Sequence, residues 1–298
     1  MQISTSKKAD LSLVFVALLW GSSFVVIKHS LVSITPFWLV LIRFVIAALA
    51  LWMIFPCFWR GLRVATVWCS GLTGLCLFLG FAFQTVGLQH TSPAKSAFIT
   101  ALSVLMVPLF NRAIFKIFIR KEMGAGIFIA FIGLYMLISP NDLNKLNWGD
   151  IYTLCCALAF AFHIVCLGRF AVYIPYQQLA VLQMFWAALF SSVPVLIMEA
   201  SSFNFPVSSY LALFYLGIVC SALSFFIQTY AQKYTSATRT ALIFSLEPVF
   251  ATLLSSSFYG EQLFLMEWLG GCLTVAGVIV GQLHVIKSSE QQLSESSV

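Results

Sequence analysis

Glu247 stands in the middle of an apolar run, in the tripeptide Leu246-Glu247-Pro248. An acidic side chain at the centre of a membrane-length helix costs on the order of 2.5–3.5 kcal/mol, so something must offset it. Pro248 removes a backbone donor and frees a carbonyl one turn earlier, which predicts a helix broken inside a protein-lined cavity. Two roles stay open for the carboxylate. It meets a ligand or carries a coupling proton, or it is tied within the fold to free backbone donors or to Arg239. Arg43 lies about seven residues into its own apolar run, roughly 10 Å deep at 1.5 Å per residue. It must face the interior and meet either a carboxylate such as Glu247 or an anionic group of a ligand.

Four more polar side chains interrupt apolar stretches: Gln84, His163, Gln183 and Gln228. Each can be an interhelical hydrogen bond worth about 0.6–2 kcal/mol or a cavity wall, and His163 could act as a proton switch. Trp20, beside Gly21 and deep in its helix, is a further cavity candidate. Trp20, Arg43, Gln84, His163, Gln183, Gln228 and Glu247 are therefore expected around a central cavity. Lys28, Lys95 and Arg239 are expected as vestibule charges. Lys28 and Lys95 fall near helix ends, where a long stem lets the ammonium reach water; together with Arg43 they would make the outward half of the cavity positive.

These residues sit on elements that are almost wholly apolar. With 61% hydrophobic and 9% charged residues and a mean hydropathy of +0.98, the 298-residue chain is far from a soluble domain. It reads as an all-α integral membrane protein. A span needs about 20 apolar residues, and by that ruler ten helices are predicted: Leu11–Val32, Pro36–Phe55, Ala65–Leu88, Ser92–Phe115, Met123–Ser139, Ile151–Phe170, Gln177–Met198, Ser208–Gln232, Ala237–Phe258 and Leu263–Val285. Lys7-Lys8 before the first run imitates a signal peptide, but the run is long enough to span and lacks a convincing cleavage site. The excess of Lys and Arg in alternate loops, against Asp142, Lys145, Asp150, Glu199, Glu261 and Glu267 opposite, puts both termini in the cytoplasm. Residues 287–298, which begin at Lys287 and include none of these spans, read as a cytoplasmic tail.

The chain also repeats itself. Gln84 and Gln228 stand 144 positions apart (228 − 84), and the same offset pairs Thr91-Ser92 with Thr235-Ser236, Lys95 with Arg239, Leu102 with Leu246, Gly126 with Gly270 and Gly133 with Gly277. An offset of 140 pairs Arg43 with Gln183. Two five-helix repeats result, residues 1–140 and 150–286. Five is odd, so the second copy enters the membrane from the opposite side, and inverted repeats bring a ligand site to their interface near the midplane. Glycines at helical spacing in the fifth and tenth helices suit close backbone approach and offer a face for a homodimer.

Some functions are excluded. The net charge of +6 is spread over short loops and forms no basic domain, so no nucleic acid is expected. The eight cysteines lack zinc-site spacing and histidine partners and read as apolar packing residues. A membrane enzyme would need clustered His, Asp or Glu at one interface, whereas His29, His90, His163 and His284 are scattered. No catalytic residue, metal or cofactor is expected.

The run Trp20-Gly21-Ser22-Ser23-Phe24, Arg43, Gln84 with Gly87-Leu88 and Thr91-Ser92, then Thr235-Ser236, Leu246-Glu247-Pro248, Glu261 and Gly270, resembles the drug/metabolite transporter superfamily, specifically the EamA type, over nearly the whole chain. That resemblance implies a ten-helix secondary transporter in a bacterial inner membrane, moving amino acids or related small metabolites, often outwards, with the bilayer and a small-molecule substrate as its partners. The first-half counterpart of Leu-Glu-Pro falls at Leu102, Ser103 and Val104, where proline is absent and the nearest is Pro108. An uptake or exchange carrier for an anionic or nucleotide-like metabolite is the alternative, since a positive outer vestibule would attract anions, and a membrane-embedded enzyme is the remote one.

Overall fold

The computed structural model describes residues 5–137, 147–200, 205–207, 209–259 and 264–295. Asp142, Lys145 and Glu261 lie outside the described residues, as do the side chains of Lys287 and the rest of the tail. The elements are α1 Thr5–Ser30, α2 Pro36–Ile54, α3 Val64–His90, α4 Pro93–Ala101, α5 Ser103–Phe115, α6 Lys121–Leu137, α7 Trp148–Phe170, α8 Tyr176–Met198, α9 Ser209–Phe214, a π-helix Tyr215–Leu223, α10 Ser224–Ala231, α11 Ala237–Phe244, α12 Glu247–Tyr259 and α13 Leu265–Glu295. Among the described residues there is no strand. Among the described residues eight helical spans are long and apolar enough to cross a membrane, and the apolar stretch Leu265–Gly281 is shorter. The backbone of α13 continues through most of the segment expected as a tail.

Turn chemistry fixes where helices start. Pro36 and Pro93 stand at the first helical turn, where a missing donor is harmless, after Thr35 and Ser92. Asn147 and Asp150 form a reciprocal capping box on α7. Glu199 at the end of α8 caps α2 from outside, accepting from Thr35 Oγ1 at 2.6 Å and from the backbone of Trp38 at 3.0 Å.

Two rods are broken, α4/α5 at Leu102 and α11/α12 at Ser245–Leu246. Pro248 accounts for the second, because α12 must begin near a residue without a donor. The first breaks without proline: Leu102 and Leu105 bond three residues back instead of four, a tightened turn of the 3₁₀ kind. Pro108, one turn later, sits inside α5 without ending it. The seam between Gln228's helix and its predecessor brings a feature no periodicity announced, the nine-residue π-helix.

α6 and α13 pack along each other, and their glycines are the reason they can. A Cβ on Gly126 would stand 2.6 Å from the Gly277 carbonyl, and one on Gly133 would stand 2.4 Å from the Thr274 nitrogen. These glycines meet each other inside the chain. Replacing Gly133 by Val should force the helices apart and destabilise the protein by about 1–3 kcal/mol, read as a lowered melting temperature in detergent. Gly124→Ala, with open space around the new methyl, is the control that should not fall; equal melting of both would show that the helices do not depend on this seam.

Candidate functional site

The two helix breaks face one small cavity. Its wall takes Thr100, Ala101 and Ser103 from the first break, Phe244 and Glu247 from the second, Trp20 and Ser23 from α1, Phe81 and Gln84 from α3, Phe160, His163 and Ile164 from α7, and Phe225 and Gln228 from α10. Its volume is about 30 Å³, close to the share of a single water molecule. Little space is therefore left at the centre. A second cavity of about 670 Å³ opens at one end, walled by Asn111, Arg120, Arg169, Gln232, Thr235 and Arg239 among others.

Of the seven residues expected at the centre, Trp20, Gln84, His163, Gln228 and Glu247 line the cavity. Glu247 is the first residue of α12, so its carboxylate lies at the positive end of that helix's dipole. It takes part in neither described ion pair, since Arg239 binds Asp10 and Lys95 binds Asp150. The expectation that Arg239 or Arg43 might hold it is thereby corrected. Gln228 donates its amide to Gln232 Oε1 at 3.0 Å, and Gln232 donates to the Ile164 carbonyl at 2.9 Å. Gln228 Oε1 is left buried with no described partner.

Arg43 and Gln183 stand behind the wall. Arg43 is fully buried, its Nε donates to Ser221 Oγ at 3.0 Å, and its guanidinium stacks 4.0 Å from the Phe81 ring centroid. A desolvated contact of this kind is worth about 2 kcal/mol or more, yet Nη1 and Nη2 have no described partner. Phe81, which separates the cation from the cavity, is held edge-on by Phe160 and Phe225 at 5.1 and 5.9 Å. Ser221 belongs to the π-helix, and the next carbonyl back, that of Cys220, accepts from Trp20 Nε1 at 2.9 Å. The π-helix thus orients both Trp20 and Arg43, a use such segments often have.

Gln183 orders the opposite side. Thr229 Oγ1 donates to the Phe225 carbonyl at 2.6 Å and accepts from Gln183 Nε2 at 2.9 Å. Gln183 Oε1 must then accept, and the atom it meets at 3.1 Å is His163 Nε2. The chain of donors therefore fixes the His163 tautomer with its proton on Nε2.

The vestibule residues divide. Arg239 lines the larger cavity. Lys28 and Lys95 do not reach freely to water: Lys28 donates to the carbonyls of Leu88 and Thr91, and Lys95, 5% exposed, pairs with Asp150 at 2.7 Å. Asp150, 55 residues away in sequence, cancels the charge expected of Lys95, while Lys28 keeps its own against two carbonyls. Among the described residues no three His, Cys, Asp or Glu side chains gather where a metal could sit.

With this geometry in place, the resemblance to known proteins has a structural setting. The EamA-like transporter family matches residues 7–139 and 147–281. A protein of Archaeoglobus fulgidus named as an uncharacterized transporter is 33% identical over 277 residues, 93% of this chain and 86% of its own. The transporter YdfC of Bacillus subtilis is 25% identical over 284 residues, 91% and 90% of the two chains. The inner membrane transporter YedA of Escherichia coli is 28% identical over 273 residues, 88% and 87%. One solved crystal structure aligns with a TM-score of 0.72 over 93% of this chain and 98% of its own, at 22% identity, and shares the fold.

The Gln183 chain yields a test. Gln183→Leu leaves the His163 proton without its acceptor, at a cost of about 1–3 kcal/mol for a buried unsatisfied group, while Thr229 keeps its bond to the Phe225 carbonyl. Thermal unfolding in detergent should record that loss, and Gln183→Glu should restore part of it by accepting the His163 proton. An unshifted melting point for Gln183→Leu would show that the chain of bonds is not formed.

Proposed function

The chain belongs to the EamA-like transporter family, and from that premise we propose that this membrane transporter is a secondary active carrier of small metabolites, amino acids or related compounds, moved outward by alternating access. Ten helices in two inverted five-helix repeats, residues 1–140 and 150–286, form the carrier, with both termini in the cytoplasm of a cell whose inner membrane holds it. The observation that supports this reading best is the small central cavity at the level of both helix breaks, with Glu247 in its wall and the unpartnered end of Arg43 one aromatic ring behind it. A carboxylate in the wall and a guanidinium behind the Phe81 ring suit a ligand that bears both an ammonium and a carboxylate.

In this reading the ligand's cation meets Glu247, and displacement of the Phe81 ring brings its anion to Arg43. Gln84, Gln228 and His163 supply neutral hydrogen bonds, and Gln183 acts only through His163. Proton coupling would pass through Glu247, the cavity carboxylate without a cationic partner. Anion uptake finds less support, because Lys28 and Lys95 are held by carbonyls and by Asp150. Should two copies associate, the glycines of α6 and α13 are already engaged with one another, which leaves the outward residues Phe128, Tyr135 and Trp268 for the contact.

Comparing metabolites in cells and medium with and without overexpression would identify the cargo: a compound enriched outside and depleted inside, with the intact protein only, supports export. In proteoliposomes loaded with that compound, Glu247→Ala and Arg43→Ala should each lower saturable transport by at least about tenfold. Full activity in both would remove these residues from the mechanism.

A further inference from the structure

Two clusters in different parts of the molecule repeat the same set of bonds. In one, Thr91 Oγ1 donates to Asp150 Oδ1 at 3.0 Å and Lys95 Nζ donates to Asp150 Oδ2 at 2.7 Å. In the other, Thr235 Oγ1 donates to Asp10 Oδ1 at 3.0 Å and an Arg239 Nη2 donates to Asp10 Oδ2. The Thr and the cation recur at an offset of 144 (235 − 91 and 239 − 95), and the aspartates at 140 (150 − 10).

The surroundings repeat as well. Ser92 caps α4 by accepting from the Lys95 backbone, and Ser236 caps α11 by accepting from that of Arg239. Small residues let the backbones close beside each cluster. A Cβ on Gly87 would stand 2.9 Å from the Gly149 carbonyl, and the corresponding positions 231 and 9 are both buried alanines of one core cluster. Each cluster also joins the halves, Asp150 of α7 to the start of α4, and Asp10 of α1 to the start of α11.

We propose that these clusters are two latches that seal the central cavity, one toward each face of the membrane, and that they open in turn. The proposal rests on the transporter reading above. Both latches are closed here, in agreement with a cavity of about 30 Å³. The Asp10 latch borders the larger cavity through Thr235, Ser236 and Arg239. Between that cavity and the centre stands the bond chain from Gln228 through Gln232 to Ile164.

Burial gives each latch two states and little between them. Asp150, Lys95 and Asp10 are 4%, 5% and 7% exposed. A buried ion pair is stable while complete, and separating it in the dry interior leaves uncompensated charges, so the pair opens only when water enters with it. Opening therefore means hydration of one mouth. The short helices transmit the state: α4 has nine residues and α11 eight, about 12 Å at 1.5 Å per residue. Each carries its latch cation in the first turn and reaches the cavity wall at its other end, through Thr100 and Ala101 or through Phe244. A ligand that shifts the wall end tilts the latch end.

Sided accessibility tests this without a known substrate. Ser23, in the cavity wall, is replaced in the full-length chain by Ser23→Cys, and a membrane-impermeant maleimide is applied to right-side-out and inside-out vesicles, with the chain lacking that substitution as background. Asp150→Asn should raise labelling several-fold from one face, and Asp10→Asn from the opposite face. The milder Thr91→Val and Thr235→Val should move labelling in the same two directions, and the exchange Lys95→Asp with Asp150→Lys should label less than Asp150→Asn, because the ion pair is restored while the Thr91 bond and the α7 cap are not. Labelling from the same face in both series, from both faces at once, or unchanged from either would overturn the latches. Saturable transport by the parent with unmoved labelling would remove the latches and leave the transporter reading intact; opposite-sided labelling with no transport of any metabolite would do the reverse.

Discussion

A dry interior of low dielectric accepts a charge only where another group answers it, and the layout of this molecule follows from how each charge is answered. Lys95 and Asp150 answer each other, as do Arg239 and Asp10, and both pairs tie one half of the chain to the other. Glu199 is answered by the hydroxyl of Thr35 and the first backbone donors of α2, a third link between halves. Arg43 and Glu247 are the exceptions. The first has an aromatic face and one hydroxyl, the second a helix terminus, and each keeps interaction capacity in reserve at the centre of the molecule.

Much of this was legible in the residues. Apolar runs of membrane length and the duplication of Gln84, Thr91 and Lys95 at a constant offset are period signals, which one sequence carries in full. The second helix break was legible because Pro248 has a local steric cause. The first was not, since Leu102 breaks its rod by a tightened turn with no proline to mark it. The π-helix was equally silent: Tyr215–Leu223 is apolar at any helical pitch, and only the Trp20 and Arg43 bonds to Cys220 and Ser221 reveal its use. Lys95 and Arg239 were read as vestibule charges because their carboxylates are distant in sequence. Had the offset of 140 been followed from Asp10 to Asp150, the duplication would have pointed at both pairs.

The duplication is kept where the two faces of a membrane need the same operation and lost where they do not. The latch positions match in type: Thr with Thr, Lys with Arg, Asp with Asp. The phenylalanines that close the centre match too, Phe81 with Phe225, and so do the threonines that bond back to them.

At the centre the correspondence fails at several wall positions, Trp20 with Phe160, Ser23 with His163 and Thr100 with Phe244, and it fails at the charges. Glu247 corresponds to Ser103 and Arg43 to Gln183, so each charge faces a neutral group at its symmetry-related place. A symmetric frame would carry two acids and two bases and would present a ligand with two identical ends. One acid and one base, at positions that are not equivalent, give the centre a direction. Gln183 shows what the change allowed: released from carrying charge, the position became the amide that reads Thr229 on one side and fixes the His163 proton on the other. Gating asks for two alike ends, whereas recognition of an asymmetric molecule asks for a middle that differs from its own mirror position, and this chain meets both demands with a handful of substitutions on one repeated plan.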